Sequence, residues 1–297
     1  MKKGSITQSF TLICYFVALA AAMVFSLLFD ALHGDKQIGD AAYIYASYFA
    51  PQVCYLLSIT VFALVKRVPA GDFFQPKNIR PFPYVYTLLI ALGLFCAAIL
   101  PNVYLQKAFD AAGNRSSVVL PPLETASEIV LTILFICILP AIGEEMLFRK
   151  TFCEGMKGNN EWMIILLGGL FFSLSHFNLV QTIHQFVLGS VLCFLYLRTR
   201  NITLTMLMHF LNNLLAIFIK EWTGSAVNWN SVLVLGVVFA IGLVLLGAGM
   251  YLAIRYTKKT EDEGAKPEAY TIALLAATAI IWTASVAAGF LSLTERR

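Results

Sequence analysis

Charge is scarce in this chain: only 13% of its 297 residues are Asp, Glu, Lys or Arg. A soluble domain of this length carries about a quarter charged residues. The shortfall speaks against a water-soluble globule. Paired cysteines are missing as well. Cys14, Cys54, Cys96, Cys137, Cys153 and Cys193 are dispersed, most within apolar runs, and none forms a CxxC pair. Buried free thiols acting as small hydrophobes fit that pattern, and a cysteine metal site or disulfide framework does not. No basic stripe accompanies the net charge of +4, so nucleic acid is not an expected partner. Internal repeats, low-complexity tracts and a soluble domain are also lacking, so one membrane domain over 1–297 is the economical description.

What the chain has in abundance is apolar surface. Hydrophobic residues make up 59% of it, and mean hydropathy is +0.77. Lipid is the main solvent of such a chain, and its backbone must satisfy its own hydrogen bonds, which points to an all-α polytopic bundle. Apolar runs fall near 8–30, 41–65, 84–106, 127–148, 161–177, 184–197, 202–219, 230–254 and 270–293. Each approaches the length that crosses a hydrocarbon core of roughly 30 Å, with 161–177 and 184–197 short. Eight to nine spans are therefore expected. The first run reads as a retained helix, since no small-residue cleavage site follows it before Asp30. The stretch 68–83, broken by prolines, is expected at the interface, and 255–268 as a cytoplasmic loop.

Charges between the runs alternate. Lys66, Arg67, Lys77 and Arg80 follow the second run, and Arg149, Lys150 and Lys157 follow the fourth. Arg198 and Arg200 follow the sixth, and Arg255, Lys258 and Lys259 the eighth. Basic residues after every even span place the N-terminus in the cytoplasm, by the rule expected of a plasma-membrane protein. A ninth span would put Glu295, Arg296 and Arg297 outside, against the same rule.

In lipid the informative residues are ionisable groups at depth, where Asp or Arg costs about 2.5–3.5 kcal/mol on insertion scales. Three stretches qualify. In the fourth run, a Thr125-Ala-Ser-Glu128 capping box opens a helix that Pro140 and Gly143 loosen just before Glu144 and Glu145. Glu145 and Arg149, at i and i+4, share a face and can pair. Glu144 points about 100° away and lacks that partner. A structural Glu145–Arg149 pair and a Glu144 available for chemistry are expected, with the helix continuing to about Gly155. The bland alternative puts both acids in headgroup water at a helix end.

The second stretch is Phe172-Ser-Leu-Ser-His176, expected within the fifth span, where Phe172 could wall the imidazole from lipid. The third is His209-Phe-Leu-Asn212-Asn213 in the seventh span; His209 and Asn213, at i and i+4, can face one cavity. Asn212 partly shares that face. Packing and interhelical hydrogen bonds are the bland readings of these. His33 and His184 are not expected to take part. Counting from the expected cytoplasmic helix ends, Glu144, His176 and His209 lie roughly 17, 23 and 12 Å deep. A tilt of about 20° would bring them toward one height in a mid-membrane cavity.

Together and in this order, EExxxR, FxxxH and HxxxN on three helices resemble the signature of the CPBP family of intramembrane proteases. That family includes the type II CAAX prenyl endopeptidases and the bacterial Abi or bacteriocin-processing proteins. The resemblance covers roughly 125–220, with Glu144, Glu145, Arg149, Phe172, His176, His209 and Asn213 matching without departure. It implies hydrolysis of a peptide bond in a membrane-associated or lipidated peptide or protein, with membrane lipid as the other partner. Two chemistries fit. In one, needing no cofactor, Glu144 activates water, His176 helps to hold it, and His209 and Asn213 donate to the oxyanion. In the other, Glu144, His176 and His209 hold zinc with an open position for water. The first is favoured because no HExxH helix is present and Asn213 suits a donor better than a ligand. A proton-coupled transporter and a non-catalytic immunity or scaffold protein are the rivals from other classes.

Overall fold

The computed structural model describes residues 6–33, 40–69, 71, 81–111, 120–176, 178 and 180–258. The span expected at 270–293, most of the interfacial stretch 68–83 and most of the 255–268 loop lie outside the described residues.

Every long element among the described residues is a helix: α1 Gln8–His33, α2 Ala41–Lys66, α3 Phe82–Ala111, α4 Ala126–Cys153, α5 Glu161–Leu174, α6 Thr182–Thr199, α7 Ile202–Thr223 and α8 Val232–Tyr256. They coincide with the first eight apolar runs. Those containing α1, α2, α3, α4, α7 and α8 are long and apolar enough to cross a membrane. α5, with 14 residues, and α6, with 18, are the two short ones. The all-helical membrane architecture expected from composition is what the chain adopts.

The helices form two compact units. The first comprises Met1–Ile79, Val118–Lys157 and Asn201–Leu214, and so holds α1, α2, α4 and the opening part of α7. α4 begins where the capping box is: Thr125 accepts from the Glu128 N–H, and the Glu128 carboxylate accepts from the Thr125 N–H at 2.9 Å. Its ladder then widens twice to i→i+5 bonding, over Ile133–Ile138 and Met146–Cys153, on either side of the glutamates. Such widenings recur at functional sites. Side chains follow the wider pitch, for Thr151 Oγ1 donates to the Met146 carbonyl at 2.9 Å.

α1 and α2 pack against α4 through aromatic and hydroxyl contacts. Tyr15 meets Phe148 edge-on at 5.6 Å, and Thr11 Oγ1 donates to the Thr151 carbonyl at 2.9 Å. Tyr45 Oη donates to the Glu128 carbonyl at 3.1 Å, and its ring lies 5.8 Å from that of Phe135.

The second unit comprises Arg80–Ser117, Gly158–Arg200 and Leu215–Arg297. Small residues bring its backbones together. A Cβ on Gly93 would collide with the backbone of Leu246, and one on Gly242 with that of Ala97, so α3 and α8 touch nearly backbone to backbone. Gly169 and Gly189 do the same for α5 and α6, against Ser190 and Phe172. A two-armed ion pair ties the start of α5 to the end of α6: Arg198 Nε and Nη2 donate to Glu161 at 2.6 and 3.2 Å.

Candidate active site

The candidate site lies in the first unit, on α4 between its two widened stretches. Glu145 and Arg149 are both fully buried and form the expected i, i+4 ion pair, Arg149 Nη1 to Glu145 Oε1, at 2.9 Å. The same carboxylate oxygen lies 2.8 Å from His209 Nδ1, on α7. A carboxylate only accepts, so Nδ1 carries the proton. The imidazole is thereby fixed in tautomer and rotation, as a carboxylate fixes the histidine of a hydrolytic triad. Its other nitrogen, Nε2, faces Glu144 Oε2 at 3.8 Å.

Glu144 is held from a third helix. Gln52 Nε2, on α2, donates to Glu144 Oε1 at 3.0 Å. Glu144 Oε2 and Gln52 Oε1 are buried and have no hydrogen-bond partner among the described residues. Tyr55, one turn along α2 and also buried, stands close enough to feel the charge of Glu144. The two acids differ in what holds Oε1: Glu145 Oε1 meets Arg149 and His209, whereas Glu144 Oε1 meets one neutral amide, and Oε2 of each has no hydrogen-bond partner among the described residues.

Asn213 has a backbone partner. Its Nδ2 donates to the carbonyl of Ile136, in the first widened stretch of α4, at 3.3 Å, which leaves its second N–H for other use. Asn212 is buried and donates to Asn213 Oδ1 at 3.3 Å.

His176 belongs to the second unit. It was expected inside the fifth span, but α5 ends at Leu174 and His176 occupies the turn that follows. The reason is local. The ring nitrogen Nδ1 lies 2.8 Å from the Phe172 carbonyl, and Ser175 Oγ donates to that same carbonyl at 2.7 Å. The side chains of this segment thus satisfy the open end of the helix themselves. Phe172 does cover the imidazole, edge-on with ring centres 4.9 Å apart. The chain then turns at Asn178, whose side chain accepts from the N–H groups of Val180 and Gln181, before α6 starts.

In the first unit, then, Glu144, Glu145, Arg149 and His209 come together, with Asn213 anchored to the carbonyl of Ile136. Gln52 and Tyr55 were not singled out from sequence. The signal for Gln52 was present: an amide directly after Pro51, in the middle of an apolar run. A search restricted to ionisable groups passes over it. Among the described residues, no group of three or more His, Cys, Asp or Glu side chains is arranged to hold a metal ion.

An all-helical membrane protein that buries a carboxylate beside an oriented imidazole belongs, by its chemistry, among the candidate intramembrane hydrolases. Comparison with known families gives the class more narrowly. The model described as Type II CAAX prenyl endopeptidase Rce1-like matches residues 126–215. That stretch contains all three motifs, so the family resemblance read from them is borne out. The match supports an integral membrane endopeptidase of the CAAX type, acting on a peptide or protein. No curated protein and no solved structure matches the chain.

Proposed function

We propose that this chain is an intramembrane endopeptidase in which Glu144 activates a water molecule against a peptide bond of a lipidated, membrane-associated substrate. The observation that carries the reading is the pairing of Glu144 Oε2 with His209 Nε2 at 3.8 Å, behind which the Glu145–Arg149 pair fixes the imidazole. A gap of that length suits a small polar molecule touching both groups better than a direct hydrogen bond.

In this mechanism Glu144 takes a proton from the water as its oxygen attacks the carbonyl carbon. The tetrahedral oxyanion accepts from His209 Nε2–H and from the free N–H of Asn213. Donation from Nε2 requires the imidazolium form, and Glu145 is its counter-ion at Nδ1. When the C–N bond breaks, Glu144 returns its proton to the departing amine, so the enzyme ends as it began. No metal enters any of these steps.

The basic connections after even spans support a cytoplasmic N-terminus in the plasma membrane and a site reached from the cytoplasmic side. The family name supports a prenylated C-terminal peptide as substrate. The test is cleavage of a farnesylated reporter peptide by the purified protein in liposomes, before and after Glu144→Gln and with chelator added. Turnover that vanishes with Glu144→Gln and survives chelation is expected. Stoichiometric bound zinc with chelator-sensitive turnover would overturn the metal-free chemistry. Unchanged biological output from Glu144→Gln would favour a scaffold.

A further inference from the structure

We propose that Gln52 is a positioning residue for the base: its amide holds Oε1 of Glu144 so that Oε2 alone is presented toward His209. This rests on the endopeptidase reading and adds to it a residue from α2, outside the matched stretch 126–215.

Three observations carry it. The first is the bond itself, Gln52 Nε2 to Glu144 Oε1 at 3.0 Å, between two buried side chains far apart in sequence. The second is the asymmetry it creates. One carboxylate oxygen is occupied and the other has no hydrogen-bond partner among the described residues, while His209 Nε2 stands 3.8 Å from the latter. The third is the room made for the amide. A Cβ on Gly143 would collide with Gln52 Oε1 and lie 3.2 Å from Gln52 Cβ and 3.4 Å from its Cα. The glycine directly before Glu144 is therefore where α2 makes a close approach to α4, and Gln52 is the residue it admits.

Holding one oxygen has a chemical reason. A carboxylate free to rotate would present either oxygen to the water, and a misplacement of about 1 Å can cost about a hundredfold in rate. A single donor at Oε1 fixes which oxygen of Glu144 faces His209.

The test compares variants of the full chain in liposomes, cleaving a farnesylated reporter peptide under single-turnover and steady-state conditions. Gln52→Met keeps length and volume and removes the donor. It should lower kcat about a hundredfold with KM within about twofold. Placed on Glu144→Gln, the same change should remove nothing further, because there is no base left to orient; a purely structural role would cost the same in both backgrounds. Gly143→Ala leaves the amide in place but displaces it, and should lower kcat alone while adding nothing to Gln52→Met. Should Gln52→Met fail to insert, Gly143→Ala compared in the wild-type and Glu144→Gln backgrounds reads the same coupling. Wild-type kcat in Gln52→Met, or equal losses in both backgrounds, overturns the positioning role and leaves Glu144 as base. No cleavage by the wild-type protein overturns the endopeptidase reading and this inference together.

Discussion

One helix cluster in each unit shows two different ways of bringing helices together. In the first, α2, α4 and α7 meet through buried polar side chains: Gln52 with Glu144, Glu145 with Arg149, and His209 with both glutamates. In the second, α3 and α8 meet through glycines, with Gly93 and Gly242 against backbone. Lipid tails are as apolar as leucine, so small residues allowing close van der Waals contact suffice to join two helices. Polar groups do that job at a high desolvation cost. Their concentration around one stretch of α4 therefore marks chemistry rather than architecture.

The largest effect should come from Glu144→Gln. It keeps the shape of the side chain and removes the base, so cleavage should fall by about a thousandfold while the thermal unfolding midpoint in detergent barely moves. A fall in stability matching the fall in activity would erase the distinction between the units.

Arg149→Met removes one partner of a fully buried pair and leaves Glu145 with His209 as its remaining partner. Destabilisation of about 3–5 kcal/mol is expected, measured by denaturant or thermal unfolding in micelles. The corresponding test of the second unit is Gly242→Val, which forces bulk against the Ala97 backbone. It should cost about 1–3 kcal/mol of stability with kcat per folded molecule unchanged. Reduced kcat at full occupancy of the folded state would mean that the glycine contact serves the site as well. The smallest effect belongs to Thr125→Ala, which removes the cap of α4 and should cost about 1 kcal/mol.

Much of the site was legible because helix periodicity reports which residues share a face. The Glu145–Arg149 pairing, the different face of Glu144 and the continuation of α4 beyond the glutamates all follow from spacing. His176 was less legible. A run that stays apolar to residue 177 gives no sign that side chains at its end, Ser175 and His176, satisfy the terminal carbonyls and stop the helix at Leu174. Asn213 was read as a polar residue facing a cavity. Its attachment to the carbonyl of Ile136 joins two helices far apart in sequence, which spacing within one helix does not report.

The all-helical membrane class, the positions of eight helices and the family likeness of the stretch 126–215 were legible in sequence alone. Each depends on properties local in the chain: the cost of leaving a backbone group unsatisfied in lipid, and the regular turn of a helix. The partnership of Gln52 with Glu144, the rotation of His209 imposed by Glu145, and the division of the helices into two units were decided only by tertiary structure. They join residues far apart in sequence, where no spacing rule applies and only the fold determines which groups touch.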